Sequence, residues 1–192
     1  MHLDAEVGWQ SRTVSVTRPL AADDGPVLAA LLRANRAYLS PWQPARGDDH
    51  FTDGAQQQAV EKALGDRERG ASVPLVVVAG GAEPVGTVTL QSVIRGSFQS
   101  CSVGYWLAEH AQGGGLATAA LREATQLAFH DLGLHRVQAE TLVHNVRSQR
   151  VLDRVGFVPY GTAEAYLKIA GRWQDHVLYQ LLTPRPDLVL SP

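Results

Sequence analysis

The run from Val103 to Thr118, Val-Gly-Tyr-Trp-Leu-Ala-Glu-His-Ala-Gln-Gly-Gly-Gly-Leu-Ala-Thr, sets three consecutive glycines between a strand pattern and a helix pattern. Side chains without bulk let a backbone approach a ligand closely. The first amides of a helix lack internal partners and carry the positive end of its dipole, so they can hold a phosphate without lysine. An anion cradle is one reading, and a flexible linker before an ordinary helix is another. A Walker phosphate loop would need Gly-Lys-Ser/Thr at its end, but Gly115 is followed by Leu116. A dinucleotide fingerprint stays open as an alternative, because Gly113-x-Gly115 follows a strand and Glu140 lies further on. Thr118 replaces its third glycine, however, and too little chain follows for a full doubly wound sheet.

Around this loop the chain alternates between helix and strand patterns. Thr13 to Arg18 has period two and predicts a strand running into Pro19. From Pro26, the apolar positions Val27, Leu28, Leu31 and Leu32 predict a helix to about Tyr38, capped by Asp23 or Asp24. Ser40 to Gly47, with Pro41 and Pro44, reads as a shaped loop. Thr52 or Asp53 caps a second helix to about Arg69, which Gly70 ends. Leu75 to Ala79 and Val85 to Leu90 flank a Gly-rich turn and predict an antiparallel hairpin. A strand from Phe98 or Ser100 to Leu107 leads into the glycine loop. A long helix with an apolar face through Leu121, Ala124 and Ala128 should run to about Gly133. His135 to Val143 reads as a strand, Val146 to Val155 as a short helix, and the remainder as closing strands. Helices before and within a run of strands predict an α+β chain.

The 192 residues suit a single domain with its own core. A net charge of −2 offers no global attraction for nucleic acid or an anionic membrane, so neither is expected as a partner. Cys101, the only cysteine, excludes an intrachain disulfide and reads as a small buried hydrophobe. Met1 to Glu6 lacks the basic start and apolar run of a secretory signal, and no apolar stretch suggests a membrane span. A cytoplasmic protein is expected. No His-x-x-x-His or Cys-x-x-Cys pair is present, so no metal is expected. Asp175-His176 suggests a catalytic pair, but adjacent strand residues face opposite ways, which favours a structural role.

Gln112-Gly113-Gly114-Gly115-Leu116-Ala117 resembles the Gln/Arg-x-x-Gly-x-Gly/Ala acyl-CoA signature of the GNAT superfamily of N-acetyltransferases. Asn145-Val146-Arg147-Ser148 and the segment ending Val155-Gly156-Phe157 follow at the spacing of that superfamily. Asn35 to Trp42, with Phe51-Thr52, and Tyr166 to His176 are similar to the RimJ/RimL group of ribosomal-protein alanine N-terminal acetyltransferases. The likeness runs from Thr13 to Leu182. It implies a layered α/β/α GNAT fold with a mixed, mostly antiparallel sheet splayed at Tyr105 to Leu107 and helices on both faces. A single domain over residues 1–192 is implied, with a core at about 13–182 and short flexible ends. Acetyl-CoA would enter the gap as cosubstrate. By resemblance, backbone groups of Trp106 and Leu107 hold its pantetheine arm. Gln112, Gly113, Gly114, Gly115, Leu116, Ala117 and Thr118 hold its pyrophosphate, Asn145 touches it near the pantetheine, and Ser148 lies close to the thioester sulfur. Tyr38, Trp42 and Tyr166 would wall the acceptor site.

Direct acetyl transfer needs a neutral amine, a polarised carbonyl and help for the departing thiolate. Ser148 and Asn145 are the catalytic candidates, although Asn145 could simply cap the helix with Ser148 in its first turn. Leu152 stands where many relatives have tyrosine, so tyrosine is not expected as the acid; Ser102 stands where the RimL branch often has glutamate, so no general base is evident. Deprotonation at pH 7 costs roughly 1 kcal/mol for an α-amine and about 4 to 5 kcal/mol for lysine. That difference permits an α-amine without a fixed base, and the resemblance implies a protein N-terminus, ribosomal, as the acceptor, taken by a monomer or homodimer. A small-molecule or antibiotic amine is the alternative, as is a non-catalytic acyl-CoA-binding module.

Overall fold

Alternation of buried and open positions along β-branched runs builds a sheet, and the computed structural model describes residues 15–183 of the chain. Its strands are β1 (Thr17–Pro19), β2 (Val73–Val78), β3 (Pro84–Ile94), β4 (Ser100–Leu107), β5 (Arg136–Leu142), β6 (Val158–Ile169) and β7 (Arg172–Leu182). They lie in the order β1-β2-β3-β4-β5-β7-β6. Every neighbouring pair is antiparallel except β4 and β5, which run parallel. This is the mixed, mostly antiparallel α+β architecture expected from the sequence.

The helices are α1 (Gly25–Ala34), α2 (Arg36–Leu39), α3 (Asp53–Glu68), α4 (Leu116–Gln126) and α5 (Val146–Val155). Leu28 of α1 and Val60 of α3 pack with Val76 and Trp106 on one face of the sheet. Ala120, Leu121 and Ala124 of α4 and Leu152 of α5 pack with Val88, Cys101, Val103, Val137 and Tyr179 on the other. Cys101 is 2% exposed, and burial pushes its thiol up to about 12, so it is an unreactive core residue.

Four expectations change in detail. The first helix does not run unbroken to Tyr38: Asn35, at φ −107° and ψ 11°, ends α1 and starts α2. Its Nδ2 donates to the Leu31 carbonyl at 2.8 Å, an alternative to helical pairing that Asn readily offers. Asp24 does stand before α1, but its carboxylate is bound by the Arg18 guanidinium at 2.7 and 2.9 Å and by the Ala21 N–H, not by the helix. The helix after the glycine loop leaves α geometry at Gln126 and finishes in a π turn over Leu127–Asp131. The first strand is shorter than expected. Ser15, Val16 and Thr17 are instead gathered onto the Glu123 carboxylate of α4. Thr13 and Val14, the Met1 to Glu6 stretch and the two ends expected to be flexible lie outside the described residues. Thr52 caps α3 as expected, its side chain accepting from the Ala55 N–H. Among the described residues no helix is long and apolar enough to cross a membrane.

Candidate active site

The one parallel contact in the sheet is short. β4 pairs with β5 only from Ser100 to Ser102, against Arg136 to Gln138. β3 stays paired with β4 as far as Leu107, and β7 stays paired with β5 as far as Leu142. The two halves of the sheet therefore diverge from Val103 onward, two residues before the expected splay. The β5-facing edge of Val103 to Leu107 is left without a strand. Unpaired backbone groups need partners, and this edge offers a row of them to a bound molecule.

A cleft of about 1120 Å³ opens along this wedge. Trp106, Leu107, Gln112, Gly113, Gly115, Leu116, Ala117, Thr118, Asn145 and Ser148 line it, together with Tyr38 and Trp42. Gly114 sits between two lining glycines. Tyr166 is set back: its ring packs against His176, centroids 5.6 Å apart, and His176 itself faces the cleft.

At one end the glycine loop delivers the start of α4. Gly115 occupies the cap position at φ +80°, a conformation that glycine adopts at no steric cost. Having no side chain, it cannot satisfy the helix amides as Ser or Asp would. The first helical N–H with an internal acceptor belongs to Ala119, which reaches Gly115 O at 3.0 Å. The amides of Leu116, Ala117 and Thr118 are thus left for an anion in the cleft. Gln112 folds back, its Nε2 donating to the Leu107 carbonyl at 3.4 Å, and ties the loop to the end of β4.

At the other end α5 begins. Asn145 caps it, Oδ1 accepting from the Ser148 N–H at 3.2 Å. Ser148 Oγ lies 2.9 Å from the Tyr105 hydroxyl, which also reaches the Ser148 carbonyl at 3.3 Å. Tyrosine therefore does enter the site, from β4 and not from the position of Leu152. Burial pushes the Tyr105 phenol up to about 12, with the Ser148 contact opposing, so it remains protonated and able to donate to Oγ. Either hydroxyl can donate across this contact; with Tyr105 as donor, the serine O–H is free to point into the cleft.

The missing base has a candidate on β5. Glu140 lines the cleft on the sheet face shared with Ser102 and Gln138, and burial raises its carboxyl above the usual range. It is the only carboxylate among the described lining residues. The sequence marked Glu140 only as the acidic residue of the alternative dinucleotide fingerprint, and nothing there pointed to a base for acetyl transfer. Tyr166 lies within the field of Glu140: burial first, then this negative neighbour, raises its phenol. Over the cleft, Trp42 meets the His144 ring at 5.7 Å between centroids, and Arg147 Nη1 reaches the Tyr38 hydroxyl at 3.5 Å. The Tyr38-to-Trp42 segment and the start of α5 thus meet across the opening. Among the described residues no cluster of three or more His, Cys, Asp or Glu forms a metal-binding group.

A wedge in a mixed sheet, an anion-ready helix start and a capped serine at a second helix coincide with a family match. The model of the acetyltransferase (GNAT) domain matches residues 16–158. The chain belongs to the GNAT acetyltransferase family. It is 32% identical over 176 residues to "Probable N-acetyltransferase YjcK" of Bacillus subtilis, covering 91% of this chain and 97% of that one. It is 34% identical over 158 residues to the [ribosomal protein uS5]-alanine N-acetyltransferase of Escherichia coli, covering 82% and 81%. The solved structure of Mycobacterium smegmatis RimJ in complex with CoA-disulfide superposes with a TM-score of 0.84 at 30% identity, covering 87% and 81%. As a GNAT acetyltransferase, this protein is an acetyl-CoA-dependent N-acetyltransferase.

Proposed function

We propose that the GNAT domain, taken as one unit from about residue 13 to 182, acetylates the N-terminal α-amine of a protein in a ternary complex, without a covalent enzyme intermediate. The observation that carries this reading is the pairing of Ser148 and Tyr105 at one side of the wedge with Glu140 at the other. Acetyl-CoA supplies the activated acetyl thioester. The cleft fits its parts: the amides of Leu116, Ala117 and Thr118 with Gln112 to Gly115 receive the pyrophosphate, and the free edge at Trp106 and Leu107 receives the pantetheine. Asn145, which lines the cleft, would touch the cosubstrate near its pantetheine.

Glu140, ionised, accepts a proton as the amine nitrogen bonds to the acetyl carbon and the carbon–sulfur bond breaks. Ser148 donates a hydrogen bond to the departing sulfur while Tyr105 donates to Ser148 Oγ. A serine hydroxyl is a far weaker acid than a thiol, so Ser148 stabilises the thiolate without losing its own proton. The proton released by the amine balances the thiol formed. Asn145 fixes the turn that presents Ser148.

The acceptor is supported by two observations. The E. coli relative is named for the alanine of ribosomal protein uS5. The acceptor end is walled by Tyr38, Trp42, Leu39, Leu167 and Ile169, with Tyr166 behind His176, and holds one carboxylate. A small apolar first residue suits that wall, whereas a polycationic antibiotic calls for several carboxylates. The proposed setting is the cytoplasm, with Cys101 reduced.

The test measures thiol release from acetyl-CoA with an alanine-starting peptide, an N-blocked lysine peptide and a panel of small amines. The α-amine peptide should have the highest kcat/KM. A higher value for lysine or an antibiotic amine would overturn the acceptor, and binding of CoA without turnover on any amine would leave a binding module.

A further inference from the structure

His176 is a buried titratable group that the chemistry above does not use. On β7 it is 3% exposed, yet it lines the cleft. Its strand position opposes Leu142 of β5 and Ala163 of β6, on the face that also carries Glu140, whose own partner is Leu178. Alternation parts it from Asp175, whose carboxylate accepts from the Ala165 N–H.

The ring orientation is fixed from both sides. Nδ1 lies 2.9 Å from the Gln174 carbonyl, which only accepts, so Nδ1 carries a proton. In the neutral ring Nε2 is then a hydrogen-bond acceptor. Tyr166 covers the ring, tilted by 59°. Nε2 has no hydrogen-bond partner among the described residues, and it is not sealed away either, for Gln99 Oε1 is the only sealed, unpartnered side-chain atom there. Neither His176 nor Glu140 takes part in a described ion pair. Two acceptors on one sheet face thus point their capacity into the same end of the cleft.

A neutral primary amine attacking a thioester keeps two N–H groups. At the His176 end, where the ring is 3% exposed and the amine would leave water, each needs an acceptor. We infer that His176 Nε2 accepts the second N–H of the acceptor amine while Glu140 takes the first, so that the pair selects primary over secondary amines. This assignment rests on the amine-acetylation reading above. After transfer, the N–H that remains in the amide product is the one His176 holds, and no proton passes through the ring.

The decisive measurement is the ratio of kcat/KM for an alanine-starting peptide to that for its N-methylalanine counterpart. His176→Asn keeps a donor for the Gln174 carbonyl and loses Nε2, and it should lower this ratio about tenfold. KM for acetyl-CoA should stay within about twofold. His176→Gln, which returns an acceptor near the place of Nε2, should recover part of the ratio. An unchanged ratio in a folded His176→Asn protein, checked by circular dichroism and CoA binding, overturns the proposal. Long-range ¹H–¹⁵N spectra of the CoA-bound wild type, titrated with the same peptide and with alaninamide, give an independent reading. Nε2 should shift and Nδ1 should hardly move, and a silent Nε2 overturns the assignment. If the wild type acetylates no amine, the function above fails by itself, while the spectra still decide whether His176 meets an amine.

Discussion

The backbone N–H of Glu109 donates to Asn35 Oδ1 over 2.8 Å, joining the break between α1 and α2 to the turn that follows β4. The same side chain reaches the Leu31 carbonyl, and Asn35 is buried. One amide therefore positions the Tyr38-to-Trp42 segment relative to the end of β4. Asn35→Ala removes both bonds and orphans a part-buried N–H, so a loss of about 2 to 3 kcal/mol is expected in urea denaturation. KM for acetyl-CoA and for the acceptor should rise together. Asn35→Asp keeps the acceptor for Glu109 but not the donor, and should fall between.

Ser148 and Tyr105 should behave as one unit. Ser148→Ala is expected to lower kcat by roughly ten- to a hundredfold, with CoA affinity almost unchanged. Tyr105→Phe should cost about fivefold when Ser148 is present and close to nothing when it is absent, because its hydroxyl acts through Oγ. A double-mutant cycle on kcat measures this, and additive effects would separate the two residues.

Glu140 should set the acid limb of the pH profile. Burial raises its carboxyl, and its ionised form is the proton acceptor, so kcat/KM should rise with pH through that raised value. Glu140→Gln should flatten the limb and lower the plateau. Stability runs the other way. A carboxyl whose folded pKa exceeds its unfolded value binds more protons when folded, so its contribution falls as pH rises from the unfolded to the folded value. Glu140→Gln is therefore expected to raise Tm at neutral pH and leave it nearly unchanged below the unfolded pKa, as calorimetry at two pH values can show.

Gly86 faces Leu107 across β3 and β4. A Cβ there would collide with the Trp106 carbonyl oxygen and lie 2.9 Å from Leu107 Cα, with backbone that cannot swing aside. Gly86→Ala should displace the free edge of β4, weakening CoA binding more than tenfold and costing about 1 to 3 kcal/mol in stability. Isothermal titration and thermal melting read the two effects.

The elements that a local pattern specifies were legible: the Thr52 cap, the hairpin at Gly80 to Pro84, the glycine loop and the Asn145 cap each depend on residues within a few positions of one another. What stayed hidden depends on register between distant strands. Ser148 meets Tyr105 across 43 residues, and Glu140 shares its sheet face with His176 only because β5 pairs with β7 in one particular alignment. His176 read as structural because alternation separates it from Asp175. That separation holds, but the relevant neighbour lies on another strand. Asn35 was absorbed into a helical pattern whose apolar spacing continues through the break, and its partner Glu109, 74 residues on, has no counterpart in the sequence around it.

On the proposed binding mode, the parallel contact that ends at Ser102 would make the cosubstrate a member of the architecture as well as a reactant. A molecule that hydrogen-bonds to the backbone left unpaired in the wedge would do so only in the folded state. At a free concentration a hundredfold above Kd, that linkage adds about 2.7 kcal/mol to the unfolding free energy. A protease that captures opened chains should then cleave this protein more slowly when acetyl-CoA is present, as limited proteolysis with and without the cosubstrate reads directly.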